Sequence, residues 1–219
     1  MSGRFGAILA SLIIIFAGIF FVNKNQANAP VDSEGNPTTT ENLTTNHIKG
    51  SDSASVTLVE YGDFQCPACS QYHITIEELL AQRSDDIQFQ FVHFPISSIH
   101  PNAMAAHRAA EAAGMQDKFW EMHDMLYSNS PAWQRSTSAS AVFEGYASQL
   151  GLNMDKYRED VASTAVNDII NADLDKGRKQ KIQGTPTFFV NGKETAELPQ
   201  TLDDFNRIID AAIKDVESQ

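Results

Sequence analysis

The chain has 219 residues, which is enough for one domain of ordinary size together with an additional segment. Acidic residues outnumber basic ones by 28 to 16, and the formal net charge is −12. This balance argues against nucleic-acid binding and against docking on anionic lipid through a basic patch, because both require clustered positive charge.

An uncharged apolar segment lies at the start of the chain, over residues 5–22. A helix of this length reaches roughly 27 Å, close to the hydrocarbon core of a bilayer at about 30 Å. We therefore predict a single-pass membrane anchor over residues 1–24. A cleaved secretory signal is the alternative, because residues 27–29 read Ala-Asn-Ala, but the apolar run is long for a signal peptide. Both interpretations place the rest of the chain outside the cytoplasm.

Residues 25–50 are rich in Asn, Thr and Pro and almost free of large apolar side chains. This composition predicts a flexible linker between the anchor and a folded domain over residues 51–219.

The folded domain begins with a strand–helix–strand pattern. Val56 to Tyr61 is a β-rich apolar run that ends at a glycine, and the run over 87–94 alternates apolar residues with glutamines. Residues 67–82 between them show the pattern of a helix. Because crossovers of this kind are right-handed, the two strands are predicted to be parallel.

A long helical insertion follows, over about residues 98–181. Three runs, 101–126, 138–151 and 154–181, are Ala-rich or show helical spacing, with breaks at Gly114, around Pro131 and at Gly151. None of them carries a strand pattern.

The chain then returns to β structure. Residues 185–190 form an apolar run that leads into Asn191-Gly192, the favoured two-residue hairpin turn, so a second strand is predicted near 194–197. A final amphipathic helix begins at a capping-box-like sequence at Thr201. The order of elements is therefore β-α-β, helical insertion, β-β-α.

The only two cysteines, Cys66 and Cys69, lie in the sequence Cys-Pro-Ala-Cys. A structural zinc site normally needs four ligands, and no two of the six histidines lie three to five residues apart. No metal or other cofactor is therefore predicted. A permanent bridge between these cysteines would close almost no loop and would stabilise the fold little.

The spacing suits redox chemistry better. Cys66 follows a predicted strand where a helix begins, and Pro67 occupies a first-turn position where its missing N–H has no cost. The helix dipole and the unpaired amides of that end favour a thiolate. Cys69 lies one turn further on and can resolve a mixed disulfide at Cys66. Export favours this interpretation, since disulfides persist outside the cytosol.

These features together resemble a DsbA-like thiol:disulfide oxidoreductase of the membrane-tethered bacterial type. The sequence EYGDFQCPACSQY, the helical insertion, QGTPTFFVNGK and the last amphipathic helix carry the resemblance, which covers about residues 48–216. It implies an α/β thioredoxin fold, here preceded by an N-terminal transmembrane helix.

The resemblance also implies roles for single residues. Cys66 matches the exposed nucleophile and Cys69 the buried resolving cysteine. Pro186 matches a cis-proline beside the dithiol, and Thr185 the residue whose backbone pairs with an extended client peptide. Glu60 matches a buried acid that relays a proton to or from Cys69.

Two positions depart from the strongest oxidants of this family. Ala68 stands where those proteins carry a histidine that stabilises the thiolate, and Thr185 stands where they often carry valine. Both departures make isomerase or reductase activity an alternative to oxidase activity. Asp63 is close to the thiols, where an inward-facing charge would disfavour a thiolate, and we expect it to face water.

The expected activity is the formation of disulfides in exported proteins, with unfolded or partly folded proteins that carry free thiols as clients. A membrane partner of the DsbB or vitamin-K-epoxide-reductase type would reoxidise the pair. We expect a monomer, anchored in the cell membrane with its domain on the extracytoplasmic side. A tethered peptide-binding chaperone with permanently locked cysteines is an alternative from another class.

Overall fold

The computed structural model describes residues 45–218. The predicted anchor over residues 1–24 and most of the predicted linker lie outside these residues. Among the helices that the described range contains, none combines the length and the apolar character needed to cross a membrane.

A five-stranded sheet forms the centre of the domain. Its strands are β1 (Ile48–Gly50), β2 (Val56–Gly62), β3 (Ile87–His93), β4 (Thr187–Val190) and β5 (Lys193–Glu194). The order across the sheet is β1-β3-β2-β4-β5. As predicted, β2 and β3 are parallel, whereas the other neighbouring pairs are antiparallel. β2 therefore lies at the middle of the sheet and carries the active-site loop at its carboxyl end.

The helices of the described residues are α1 (Pro67–Arg83), α2 (Ala103–Gly114), α3 (Phe119–Ser128), α4 (Ser130–Trp133), α5 (Ala139–Gln149), α6 (Met154–Ala162), α7 (Thr164–Lys179) and α8 (Leu202–Glu217). α1 is the crossover between β2 and β3, and it packs with α8. Phe188 of β4 meets Phe205 of α8 at nearly a right angle, with ring centroids 5.1 Å apart. Burial of such aromatic pairs is a major part of the core energy.

The helical insertion consists of α2 to α7. Its last predicted run, 154–181, is two helices, because Ser163 adopts extended backbone and its side chain accepts a hydrogen bond from the Val166 amide at the start of α7. Trp133 is fully buried, and its indole N–H donates to the Leu126 carbonyl. These helices form a packed layer rather than a loose appendage.

Two predicted boundaries are wrong. The linker prediction extends too far, because Ile48–Gly50 pair antiparallel with β3, and the Trp120 indole donates to the Ile48 carbonyl. A strand of three residues shows no alternation long enough to detect. The last strand comes earlier than predicted, at Lys193–Glu194, because both turn residues, Asn191 and Gly192, have positive φ and reverse the chain within two residues.

Candidate active site

The two thiols lie at the start of α1, directly after β2. Cys66 is the N-cap residue with extended backbone (φ −70°, ψ 122°), and Pro67 is the first helical residue. The Cys66 amide donates to the Asp63 carbonyl at 3.0 Å, which closes a tight turn before the helix. Cys66 is 7% exposed and Cys69 is fully buried. The order of exposure is the expected one, although Cys66 is less open than the resemblance implies.

The surroundings of the thiols give them opposite acidities. The pKa of Cys66 is lowered to about 5, first by a hydrogen bond with the Cys69 side chain, then by the Thr185 side chain and the backbone amides of Cys69 and Ala68, against the effect of burial. The pKa of Cys69 lies well above its ordinary value because of burial and because its proton is shared with Cys66. At neutral pH the pair is therefore a thiolate beside a thiol.

The loop before β4 comes to lie against Cys66. The Thr185–Pro186 peptide bond is cis, and the Cys66 sulfur lies 3.3 Å from the Thr185 carbonyl oxygen, to which the protonated thiol donates, across a separation of 119 residues. The Thr187 hydroxyl donates to the Gly184 carbonyl at 2.8 Å and fixes the loop. The Thr185 hydroxyl is buried without an acceptor among the described residues, so a thiolate at Cys66 gives it one.

Glu60 lies at the middle of β2, opposite Phe91 of β3 and Phe188 of β4. It is 2% exposed, and one of its carboxyl oxygens, Oε1, has no hydrogen-bond partner among the described residues. Burial, and then the charge of Cys66, raise its pKa to about 8. A hydrogen bond with the Cys69 side chain lowers this pKa but does not offset the rise. Glu60 is therefore mostly protonated at neutral pH and can exchange that proton.

Tyr127 of α3 is a further group beside the dithiol that the sequence analysis missed. Its buried hydroxyl has no partner within the described range. Its pKa lies well above the ordinary value because of burial and because of the nearby charges of Cys69 and Glu60. A helix-face tyrosine gives no sequence signal that separates this position from ordinary core.

The expectation that Asp63 faces water is wrong, because its side chain is fully buried. One carboxylate oxygen accepts from the Gln65 amide at 2.8 Å, and the other from the Ile96 amide at 2.8 Å and from His100 Nδ1 at 2.7 Å. Burial alone would raise the pKa of Asp63, but the nearby His107 ring and the hydrogen bonds from Ile96 and His100 outweigh it and lower the pKa. Asp63 is thus a paired charge that ties the active-site turn to the loop after β3.

Gln65 links the same turn to the helical insertion. Its side chain donates to the Gln134 carbonyl at 2.7 Å and accepts from the Asn102 amide at 2.6 Å. Asn102 in turn donates to the carbonyls of Trp133 and Ser136. The residue before the nucleophile is therefore held by the start of α2 and by the segment that follows α4.

Buried histidines lie behind Asp63. His93 Nε2 and His47 Nε2 are 2.5 and 2.6 Å from the same oxygen of Glu111. His93 Nδ1 is 2.5 Å from His107 Nδ1, and His107 Nε2 lies 3.9 Å from Asp63 Oδ1. Burial opposes ionisation of Glu111, but hydrogen bonds from His47 and His93 hold its pKa at about 2.

Two groups of side chains within the described residues could hold a metal ion. One consists of His47, His93 and Glu111, and the other of His73, His123 and Asp124. Neither includes the cysteines, which contact each other and the cis-proline loop instead.

The fold and the site define a thioredoxin-type protein with a Cys-x-x-Cys dithiol and a helical insertion. A family model described as thioredoxin matches residues 42–211. The chain therefore belongs to the thioredoxin family.

Solved structures share this architecture. Oxidised BdbD from Bacillus subtilis is 24% identical with a TM-score of 0.68, and the match covers 76% of this chain and 92% of BdbD. A thioredoxin-like oxidoreductase from Silicibacter pomeroyi is 23% identical with a TM-score of 0.65, covering 77% and 92% of the two chains. α-DsbA1 from Wolbachia pipientis is 18% identical with a TM-score of 0.67, covering 83% and 98%. At these identities the likeness establishes the fold alone.

Curated relatives share part of the sequence. The Na(+)/H(+) antiporter NhaA 1 of Salinispora arenicola is 42% identical over 147 residues, and the NhaA antiporter of Herminiimonas arsenicoxydans is 35% identical over 147 residues. In both cases the match covers 67% of this chain and 22% of the relative. The chain thus spans about a fifth of the length of these antiporters.

Family, fold and paired thiols together fit thiol–disulfide exchange. A thiolate with a lowered pKa is a good leaving group in a mixed disulfide, and a neighbouring thiol can displace it. The site holds both groups within one turn of α1.

Proposed function

We propose that the protein oxidises thiols of exported client proteins through the Cys66–Cys69 pair. The observation that carries this proposal is the split in acidity, with the pKa of Cys66 lowered to about 5 and that of Cys69 raised well above its ordinary value. A stabilised thiolate favours the reduced form of the pair, and a pair whose reduced form is favoured is an oxidant.

The reaction starts from the disulfide between the two cysteines. A client thiolate attacks the Cys66 sulfur, the bond between Cys66 and Cys69 breaks, and Cys69 leaves and takes up a proton. A second client thiolate then attacks the client sulfur of the mixed disulfide, and Cys66 leaves as a thiolate. The client loses two electrons as its disulfide forms, and the enzyme gains them as two reduced cysteines.

Glu60 is the proposed proton source for Cys69. Its pKa of about 8 keeps it mostly protonated at neutral pH, and the Cys69 side chain is among the groups that shift this pKa. The raised pKa of Cys69 means that this sulfur needs a proton when it leaves. In the reverse direction the same carboxylate would accept the proton as Cys69 attacks a mixed disulfide.

Client recognition is proposed to use the backbone at Thr185 and Pro186. The Thr185 carbonyl oxygen lies 3.3 Å from the Cys66 sulfur, so a peptide paired with this loop would bring its cysteine to the nucleophile. Pairing through backbone atoms suits unfolded clients because it does not depend on their sequence.

The place of action is proposed from the sequence. An anchor over residues 1–24 and a linker would hold the domain at the extracytoplasmic face of the cell membrane. There a membrane partner of the DsbB or vitamin-K-epoxide-reductase type would accept the electrons, and the domain would act as a monomer.

Isomerase or reductase activity is the second candidate. The observation that favours it is the pair of departures at Ala68 and Thr185, since the alanine side chain supplies neither a charge nor a hydrogen bond to the thiolate. The two directions differ in the reduction potential of the pair and not in the chemical step.

The full-length oxidised protein, mixed with a reduced unfolded client, tests the proposal. Stoichiometric formation of client disulfides, with loss of the enzyme's own disulfide, supports an oxidase. Rearrangement of a scrambled client by the reduced enzyme, without net oxidation of a reduced client, would assign isomerase activity instead. Binding of the client that is unchanged by Cys66→Ala, with no thiol transfer by the parent protein, would favour the chaperone alternative.

A further inference from the structure

We propose that the protein binds a zinc ion in a site formed by His47, His93 and Glu111. These three side chains come from the residue before β1, from the end of β3 and from α2. The site is separate from the dithiol and is independent of the proposed oxidase activity.

The three ligand atoms already converge on one point. Glu111 Oε1 is 2.6 Å from His47 Nε2 and 2.5 Å from His93 Nε2. Tetrahedral zinc with bonds of about 2.0–2.1 Å places its ligands about 3.3 Å apart, so these atoms need to separate by somewhat less than about 1 Å. Rotation about the side-chain bonds of the glutamate can provide this movement. Two imidazoles and one carboxylate are a common donor set for zinc with one open position.

The donor chemistry selects among metal ions. Calcium and magnesium take oxygen ligands almost entirely, and this site offers two ring nitrogens and one carboxylate oxygen. Imidazole nitrogen suits zinc and the later transition metals. Zinc is therefore the probe that the site fits best.

A buried and unpartnered nitrogen on His107 provides an independent argument. When each ring carries one proton and both His47 and His93 donate to Glu111, His93 Nδ1 is an acceptor and His107 Nδ1 must donate to it. His107 Nε2 then carries only a lone pair, lies 3.9 Å from the Asp63 carboxylate, and has no hydrogen-bond partner among the described residues. Two acceptors facing each other in a buried place are unfavourable.

Zinc removes this conflict. A metal on His93 Nε2 requires the ring proton at Nδ1, where it is donated to His107 Nδ1. The His107 proton then sits on Nε2 and faces the carboxylate of Asp63. No proton leaves the rings in this exchange. A ligand histidine whose second nitrogen is held by a neighbouring group is the usual arrangement around zinc.

The site has an entrance on one side. The side chains of His93 and Glu111 are 0% and 4% exposed, whereas that of His47 is 19% exposed. The His47 ring lies parallel to Phe119, with centroids 3.3 Å apart. A zinc ion would enter beside His47, and it would fasten the chain just before β1 to β3 and α2.

Zinc binding to the oxidised full-length protein, without a histidine tag, tests the proposal. Oxidation keeps Cys66 and Cys69 from binding the metal. Calorimetric titration with zinc chloride and metal analysis after dialysis should give one zinc ion per chain. His47→Gln keeps a donor toward Glu111 but lacks the imidazole lone pair. It should weaken zinc binding by more than about 10–100-fold, the loss that is typical when a residue hydrogen-bonded to a metal ligand is replaced.

His107→Gln tests the positioning role and should weaken binding by about 10–100-fold while leaving the stoichiometry at one. His73→Gln, in the other histidine group, is the matched control and should bind zinc like the parent. Far-UV circular dichroism checks that each variant is folded.

Three results would overturn the proposal. The oxidised protein could bind no zinc, in which case a doubly protonated His93 accounts for the network. Folded His47→Gln could bind zinc as tightly as the parent. Binding could be lost in His73→Gln, which would assign the ion to the group of His73, His123 and Asp124.

Discussion

The dithiol region and the histidine network both bury ionisable groups, and they do so in opposite ways. We use the term dithiol region for Cys66, Cys69 and Glu60, and histidine network for His47, His93, His107 and Glu111. In the first, Glu60 has an oxygen without a partner and its pKa rises to about 8. In the second, Glu111 accepts from two imidazoles and its pKa falls to about 2.

This difference is explained by the number of partners and not by burial. A buried carboxyl with an unpartnered oxygen has a pKa near neutrality and can move a proton, whereas one that accepts two hydrogen bonds stays ionised and fixes its neighbours. Asp63 lies between the two regions, because its Oδ1 is 3.9 Å from His107 Nε2 and also accepts from the Gln65 amide in the turn that leads to Cys66. The dithiol region is thus suited to chemistry and the histidine network to holding the fold around it.

The largest expected effect is the loss of activity in Cys66→Ser. Transfer of disulfides to a reduced client should fall to the uncatalysed rate, because serine cannot form the mixed disulfide. Cys69→Ser should instead accumulate a stable mixed disulfide with the client, visible as a larger species on a non-reducing gel. Transfer by Cys66→Ser at the rate of the parent would remove the assigned nucleophile.

Glu60→Gln should reduce the dependence of stability on pH. The pKa of Glu60 in the folded state, about 8, is above its ordinary value of 4.5. The contribution of Glu60 to the free energy of unfolding is therefore fully present at a pH below the ordinary pKa of 4.5, and it is lost as the pH rises through the folded pKa of about 8. At a pH above 8 the variant should be more stable than the parent by on the order of 5 kcal/mol.

Urea unfolding between pH 4 and 9 or so measures this effect over the range in which the carboxyl titrates. The exposed Glu78→Gln is the matched control and should follow the pH profile of the parent. A profile of Glu60→Gln with the slope of the parent would mean that Glu60 is not a buried acid with a raised pKa.

Asp63→Ala should destabilise the fold by about 3 kcal/mol or more, because it leaves His100 and two backbone amides without their acceptor. The pKa of Asp63 is lowered in the folded state. Its contribution is therefore full above its ordinary pKa and is lost as the pH falls through the folded value.

Acid unfolding monitored by circular dichroism tests both statements for Asp63. Asp155→Ala is the control, because this carboxylate is fully exposed and should leave the midpoint where it is. If both variants unfolded alike, the paired charge would not hold the active-site turn.

The smallest expected effect is that of Thr185→Val. The Thr185 side chain is one of the groups that lower the pKa of Cys66, so its removal should raise this pKa. Thiolate absorbance at varying pH measures the change. Thr195→Val, beyond β5, should leave the titration unchanged, whereas equal shifts in both variants would assign the effect to general destabilisation.

The dithiol region was largely predictable because its signals are local. Cys66 and Cys69 are three positions apart in the sequence, and Pro67 is typical of the first turn of a helix. Asn191-Gly192 predicts the hairpin turn that follows Pro186. The fold followed from the order of these patterns.

The histidine network was not predictable, because its members are far apart in the sequence. His47 lies 46 positions before His93 and 64 positions before Glu111. Spacing rules for metal ligands detect neighbours in sequence and miss groups that three elements assemble. The prediction that Asp63 faces water was wrong for a related reason, because its partners Ile96 and His100 lie more than 30 positions away along the chain. β1 was not predicted, because three residues are too few to show the alternation of apolar and polar side chains that indicates a strand.

The most direct test of the central claim is the reduction potential of the Cys66–Cys69 pair in the full-length protein, equilibrated against glutathione, with the pKa of Cys66 taken from thiolate absorbance. We predict a pKa near 5 and a potential between about −120 and −180 mV, in the range of DsbA and protein disulfide isomerase. A pKa near the usual 8.5 or so, with a potential near about −270 mV like that of thioredoxin, would contradict the oxidase proposal and assign the pair to reduction.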